Sequence, residues 1–187
     1  LDLSYNASTA IFSPRQVLDP QQPVTIGAMV GPEAFTEVRY LAHYRQMQAL
    51  WLIPELAEEF EEQFGRASGG LIHPYHTEGA ETLVVALGSV NGTIKDVVDE
   101  MRAEGVSIGS VSICSFRPFP KKALKKALKK AKRVLVIEKS LAVGIGGIVS
   151  TNVRMALEGL DVKVHTVIAG LGGRAITRAS LREAFKK

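Results

Sequence analysis

Three glycine-rich loops are the first candidates for chemistry in this sequence. Gly144, Gly146 and Gly147 lie between a predicted strand and a predicted helix, where free backbone amides and the helix dipole could hold a phosphate. Their spacing does not match the dinucleotide fingerprint, and the loop at 88–92 lacks the lysine of a phosphate-binding loop. Arg174 adds a positive charge to the third loop, at 169–174. We favour a tight turn for each loop, and an anion site is the alternative.

Metal-binding and nucleophilic residues are sparse. The chain has four histidines and one cysteine, Cys114, so it cannot supply the thiolates of an iron–sulfur cluster or a cysteine zinc site by itself. We predict Cys114 to be a small buried residue at a strand end. His73 and His76 are three apart in a predicted strand and therefore on opposite faces. We assign no catalytic, cofactor-binding or metal-binding residue.

Composition indicates a globular chain that we expect to be cytoplasmic. Its 187 residues are 46% hydrophobic, and no apolar run approaches the roughly 20 residues that span a bilayer. The net charge of +4 is local, because seven lysines and Arg133 fall within 121–133 and the rest of the chain has 15 basic against 19 acidic residues. The lysine run could bind nucleic acid or a membrane surface. We favour an amphipathic helix that packs on a sheet, and predict no nucleic-acid or membrane partner.

Strands and helices alternate from residue 69 onward. The apolar run at 82–88 and the β-branched run at 106–113 flank a helix whose inner stripe is Ile94, Val97, Val98 and Met101. This is a βαβ unit, and further strands follow at 133–140 and 162–170. The pattern predicts an α/β fold with an open, mostly parallel sheet of about five strands and helices on both faces.

The N-terminal third has a different organisation. We predict an extended segment at 1–32, from the end of a preceding domain, and a long linking helix at 33–64 with a kink near Pro54. The α/β domain then occupies 65–187. The apolar residues of the extended segment predict that it lies against this domain or against a partner chain.

Several short motifs together resemble one protein family. They are Tyr75 with Thr77, Glu78, Ala80 and Glu81; Leu87, Gly88, Ser89, Gly92 and Thr93; and Phe116, Arg117, Pro118, Phe119 and Pro120. Along most of residues 20–187 the chain resembles the second domain of the α-type subunit of 2-oxoacid:ferredoxin oxidoreductases of the pyruvate synthase type.

The resemblance implies a three-layer sandwich similar to the C-terminal domain of transketolase, with one antiparallel edge strand. It implies a non-catalytic scaffold and subunit-contact part of an enzyme that oxidatively decarboxylates a 2-oxoacid, with pyruvate as the expected one, to an acyl-CoA with ferredoxin as the electron acceptor. Thiamine diphosphate, Mg and iron–sulfur clusters would belong to the complete enzyme, and none to this chain. The implied partners are the pyrimidine-binding domain of the same subunit, other oxidoreductase subunits, ferredoxin and coenzyme A.

Two alternatives remain from the sequence. One is a stand-alone α/β binding or assembly module for an anionic ligand, and the other is part of a different thiamine diphosphate enzyme. The predicted domain or subunit contacts are Tyr75, Thr77, Glu78, Arg117, Phe119 and Arg174. We expect Arg117 to hold a neighbouring segment or domain by hydrogen bonds, because its planar guanidinium follows a parallel strand and suits carboxylates or carbonyls. The alternative is a plain exposed arginine.

Overall fold

The computed structural model describes residues 20–21 and 29–186. The chain divides into two compact units, 1–43 and 44–187. In the first unit a turn at 31–34 leads into helix α1, Phe35–Phe64, which continues into the second unit. The predicted extended segment at 1–32 lies mostly outside the described residues, and the predicted domain boundaries stay predictions.

All the strands of the described residues lie in the second unit. Its elements after α1 are β1 (Ile72–Tyr75), β2 (Thr82–Leu87), α2 (Val90–Ala103), β3 (Ile108–Ile113), α3 (Lys121–Leu128), β4 (Arg133–Glu138), α4 (Ile148–Ala156), β5 (Lys163–Ile168) and α5 (Arg178–Lys186). A single 3-10 turn, Leu171–Gly173, lies between the last two.

The five strands form one sheet in the order β1-β3-β2-β4-β5. Strands β3, β2, β4 and β5 are parallel, and β1 pairs antiparallel with β3, with Ile72 opposite Ile113 and Tyr75 opposite Ser110. This confirms the predicted α/β fold with five strands, mostly parallel, and one antiparallel edge. Pro74 lies in β1, where the lack of an N–H is tolerated because the strand is at an edge.

Helices cover both faces of the sheet, because the central strands alternate apolar side chains between two cores. Val84 of β2 faces the core closed by α2 and α5, and Val85 faces the core closed by α3 and α4. The predicted stripe of α2 is fully buried, with Ile94, Val97 and Val98 at 0% exposure. Each such side chain contributes about 1.5–3 kcal/mol of burial free energy. The lysine-rich helix α3 packs Leu124 and Leu128 into the second core, as predicted for an amphipathic helix.

Helix α1 is the exception to this burial. It runs for 30 residues, contains Pro54 in its interior and has no buried residue. None of the helices in the described part of the chain is long and apolar enough to span a bilayer.

A close backbone contact joins the end of β1 to β3. An alanine Cβ at Gly109 would lie 2.2 Å from the carbonyl oxygen of His76 and 2.9 Å from that of Tyr75. His76 itself has a φ of +50°, in the left-handed region that non-glycine residues seldom occupy. The turn that follows β1 therefore depends on the absence of a side chain at position 109.

We predict that Gly109→Ala destabilises the protein by about 1–3 kcal/mol or more, because the new methyl group meets backbone that cannot move independently. Gly92→Ala is the matched control. Gly92 lies in the first turns of α2 with open space around its Cβ position, so alanine there should stabilise the protein by about 0.4–1 kcal/mol. Urea denaturation of both variants measures the difference, and equal midpoints would contradict the prediction.

Candidate functional site

The carboxyl edge of the parallel strands is where a sheet of this kind presents ligand sites. Strand β2 leads through α2 to β3 on one side, whereas β4 leads through α4 to β5 on the other. In open α/β sheets ligands bind in the crevice at such a reversal, outside the carboxyl ends of the strands. The loops that begin at Gly88 and Lys139 flank this crevice.

A buried carboxylate accepts the hydrogen bonds of the N-terminus of helix α4, at this edge of the sheet. Glu138 ends β4, is 4% exposed, and accepts hydrogen bonds from the backbone N–H groups of Val149 (2.8 Å) and Ser150 (3.1 Å). The Ser140 hydroxyl donates to the same carboxylate at 3.3 Å. Glu138 thus caps α4 from outside the helix and supplies the negative charge that the helix dipole favours.

Gly147 makes room for that carboxylate. A Cβ at this position would lie 1.9 Å from Oε1 of Glu138 and 2.4 Å from Oγ of Ser150. The preceding loop is a tight turn, in which Gly146 N–H donates to the Ala142 carbonyl at 2.7 Å and Gly144 has a φ of +84°. The turn interpretation of this loop is confirmed, and the amides that an external phosphate would need are already bonded to Glu138.

The other two glycine loops are also turns. Gly88 has a φ of +72° and its carbonyl accepts a hydrogen bond from the Asn91 side chain at 2.9 Å. Gly170 and Gly173 have φ values of +78° and +83°, around the 3-10 turn that precedes Arg174. Left-handed backbone explains the glycines at these positions without a ligand.

Arg117 follows β3, and its guanidinium lies against two aromatic rings. Its guanidinium carbon lies 4.2 Å from the centroid of the Phe116 ring and 6.0 Å from that of Phe119. The two rings meet edge to face with centroids 6.0 Å apart, and Nη1 of Arg117 donates to the Phe116 carbonyl at 2.8 Å. The Arg117–Pro118 peptide bond is cis. Arg117 is exposed, and its stacking on Phe116 together with the hydrogen bond to the Phe116 carbonyl holds its charge in a defined place.

Arg174 is exposed and follows β5, so it lies at the same edge as Arg117 but not beside it. Strands β2 and β4 separate β3 from β5, which places the two strand ends about 14 Å apart at the usual strand spacing. The structure does not bring the two arginines into one small site.

Tyr75, Thr77 and Glu78 lie at the opposite edge, because β1 runs antiparallel to its neighbour. The Tyr75 hydroxyl donates to both carboxylate oxygens of Asp99 on α2, at 2.9 Å each. This hydrogen bond is the main reason that the pKa of Tyr75 is raised above its usual range, with burial and the charges of Asp99 and Asp96 acting in the same direction. The Tyr75–Asp99 hydrogen bond therefore connects β1 to α2.

Thr77 and Glu78 line an open groove of ≈ 1000 Å³ together with the C-terminal end of α3 and the residues that follow it. Lys126, Lys129 and Lys130 line the same groove, and Lys132 pairs with Glu81 at 2.6 Å. These charges are exposed to water, where ion pairs contribute little to stability. The six predicted contact residues thus fall on two edges of the sheet, and their role in contacts stays a prediction.

The prediction for Cys114 was wrong. The residue follows β3 and is exposed, because the chain leaves the sheet there and its backbone N–H donates to the Leu71 carbonyl at 3.1 Å. Partial burial of the thiol raises the pKa of Cys114 above its usual range, and the charge of Lys95 opposes that effect. Within the described residues, no group of three or more histidine, cysteine, aspartate or glutamate side chains could hold a metal ion.

Sequence reasoning missed Glu138. The available signal was a carboxylate at the end of an otherwise apolar strand, directly before a glycine-rich loop and a helix. A charged residue in that position has to be buried at the sheet edge, and burial of a charge requires hydrogen-bond donors nearby.

We predict that Glu138 and Gly147 are energetically coupled. Glu138→Ala should cost about 1.5–3 kcal/mol, because two buried N–H groups lose a charged acceptor. Gly147→Ala should cost about 1–3 kcal/mol in the native chain through overpacking, and much less when Glu138 is already alanine. Urea denaturation of the two single variants and the double variant measures the coupling, and strictly additive effects would contradict this account of the loop.

The profile of the family described as pyruvate:ferredoxin oxidoreductase core domain II matches residues 80–181. The pyruvate synthase subunit PorA of Methanosarcina barkeri is 41% identical over 179 residues, which are 94% of this chain and 44% of that protein. The ketoisovalerate oxidoreductase subunit VorA of Pyrococcus horikoshii is 33% identical over 161 residues, which are 85% of this chain and 41% of the relative.

A solved structure of 2-oxoglutarate:ferredoxin oxidoreductase from Magnetococcus marinus, with 2-oxoglutarate, coenzyme A and succinyl-CoA bound, shares the fold. Its TM-score is 0.50 at 19% identity, over 68% of this chain and 20% of that chain. The chain spans somewhat less than half the length of the curated relatives that it matches. The family profile covers more than half of the chain, and the chain belongs to the pyruvate:ferredoxin oxidoreductase core domain II family.

Proposed function

We propose that this chain is a non-catalytic structural part of a 2-oxoacid:ferredoxin oxidoreductase, with pyruvate as the 2-oxoacid, since relatives such as PorA of Methanosarcina barkeri are subunits of pyruvate synthase. In the complete enzyme a 2-oxoacid would be decarboxylated oxidatively, with transfer of the acyl group to coenzyme A and of electrons to ferredoxin. This chain would position the catalytic part and hold subunits together.

The observation that carries the proposal is the occupied helix N-terminus at the carboxyl edge. The amides of Val149 and Ser150 are the donors that a diphosphate would use in a sheet of this kind, and the Glu138 carboxylate already accepts both hydrogen bonds. An anion brought to this point would meet a negative charge. The geometry therefore supports a structural role for the loop.

The cofactors of the complete enzyme do not fit the residues described here. The described residues contain no group of three or more histidine, cysteine, aspartate or glutamate side chains that could hold a metal ion, and the α4 amides that would hold a diphosphate are bonded to Glu138. The single cysteine falls short of the four thiolates that an iron–sulfur cluster needs. Thiamine diphosphate, magnesium and the clusters would therefore be held by the other parts of the enzyme.

Arg117 is the residue best placed to hold a neighbouring domain or subunit. The ring of Phe116 restricts the guanidinium from one side, so less side-chain entropy is lost when a partner carboxylate or carbonyl binds. Phe119 extends the same aromatic surface toward the start of α3. The alternative module for an anionic ligand gains no support from the three glycine loops, each of which is accounted for by its own turn.

We predict that the chain does not bind thiamine diphosphate. The expected result of isothermal titration calorimetry, with magnesium present in excess, is no binding in the micromolar range, because the amides at the N-terminus of α4 already bond to Glu138 and the described residues hold no group of three or more metal-ligating side chains. Micromolar binding would overturn the proposal that this chain is non-catalytic.

We further predict that Arg117→Ala weakens assembly with the other oxidoreductase subunits by about tenfold or more, the loss expected when a charged hydrogen bond across an interface is removed. Arg178→Ala is the matched control. It removes the same charge from α5, where Arg178 makes only an exposed ion pair with Glu100 at 3.1 Å. Native-like assembly of Arg117→Ala, measured by sedimentation velocity, would leave Arg117 as a plain exposed arginine.

A further inference from the structure

The part of α1 that belongs to the second unit, residues 44–64, exposes large apolar side chains to an unusual degree. Trp51 is 73% exposed, and Leu52 and Leu56 are each 51% exposed. No residue of the helix is buried. Exposed apolar side chains grouped on one element mark an interaction surface, because isolated ones are normal but a contiguous set is not.

One flank of this helix changes character halfway along. Residues spaced by three or four positions share a flank, and the series on this one is Tyr44, Met47, Trp51, Glu55, Glu58 and Glu62. Its first half is apolar and its second half is acidic. All six side chains are exposed.

The apolar half of the flank borders a groove of ≈ 530 Å³. Tyr44, Met47 and Trp51 form one wall, and Leu71, Phe119 and Pro120 contribute apolar surface to the lining. Lys121 and Lys122 also line the groove. We call this the aromatic groove. Its lining is thus apolar with two positive charges.

The charges around the groove have no counterpart inside the unit. Among the described ion pairs, none includes Lys121 or Lys122, and none includes Glu58 or Glu62. The first turn of α3 holds two lysines and no acidic residue, although the dipole at a helix N-terminus favours negative charge. A negatively charged partner at this place would pair with the two lysines and would also interact favourably with the dipole at the N-terminus of α3.

The acidic half of the flank and the aromatic groove with its two lysines are complementary in charge. We propose that two copies of this chain dimerise by antiparallel pairing of residues 44–62 of α1, so that the acidic half of each flank lies against the aromatic groove of the other copy. A two-fold axis near Ile53 then sets Trp51 opposite Glu55 and Tyr44 opposite Glu62. The stems of the glutamates cover the aromatic rings, while their carboxylates reach Lys121 and Lys122 of the other copy.

A two-fold axis makes this contact isologous, so the same complementary pair of surfaces occurs twice and the assembly closes at two copies. The paired segment 44–62 of each helix gives a contact about 28 Å in length. Charge complementarity at both ends fixes the antiparallel direction, because parallel pairing would set Glu58 and Glu62 against the same residues of the other copy. The proposal concerns the chain itself and does not depend on the function proposed above.

Charge exchange tests the pairing directly. Lys121→Glu with Lys122→Glu sets carboxylates against carboxylates in a homodimer, and Glu58→Lys with Glu62→Lys sets lysines against lysines. Each double variant should raise the dimer dissociation constant by about tenfold or more. An equimolar mixture of the two restores opposite charges at both ends of the contact, so it should dimerise as the native chain does. Sedimentation equilibrium measures all three.

Trp51 provides a second readout, because it is the only tryptophan of the chain and lies at the centre of the proposed contact. Its emission should shift to shorter wavelength as the native chain is concentrated and as the two charge variants are mixed. Lys129→Glu with Lys130→Glu is the matched control, since it makes the same charge change at the far end of α3 and should dimerise like the native chain.

A native chain that stays monomeric overturns the proposal, and it would leave the groove for another subunit. A dimer that neither charge variant weakens, or that the mixture does not restore, overturns it as well. Native-like circular dichroism of each variant shows that a lost dimer is not a lost fold.

Discussion

The carboxylate of Glu138 is the constraint on which one side of the sheet depends. A buried charge costs several kcal/mol unless hydrogen bonds compensate it, and here two helix amides and the Ser140 hydroxyl do so at the positive end of α4. The interaction fixes where α4 begins relative to the end of β4. Val149 and Val153 then reach the core below, and the chain returns in register as β5. Gly147 is required because the carboxylate passes so near the backbone.

The layered fold follows from local pattern. Continuous apolar runs at β2 and β4 can only be strands covered on both faces, and the stripe through Ile94 and Met101 gives α2 a single inner side. Pro74 places β1 at an edge, since it lacks the donor that a central strand needs. These features were predictable because each is set by residues within one or two turns or by the pleat of one strand.

Other features were not predictable, because they depend on contacts between distant parts of the chain. The partner of the Tyr75 hydroxyl is Asp99, which periodicity assigns to the solvated side of α2. Burial of Cys114 would have required the chain to remain in the sheet for one more residue, and instead Cys114 N–H bonds to Leu71. The six predicted contact residues divide between two edges only because β1 reverses direction, and strand direction is not encoded in β1 itself.

The two edge strands limit how the sheet can grow. An unpaired strand edge is a template for strands of other chains, and such pairing leads to aggregation. On one side β1 is only four residues long and includes Pro74, which offers no N–H to an incoming strand. On the other side β5 exposes Lys163 and His165 at alternate positions, so an added strand would pass beside charged or polar side chains. Self-association through backbone ladders is thereby disfavoured at both ends, and helices and loops are left as the surfaces through which this chain meets other proteins.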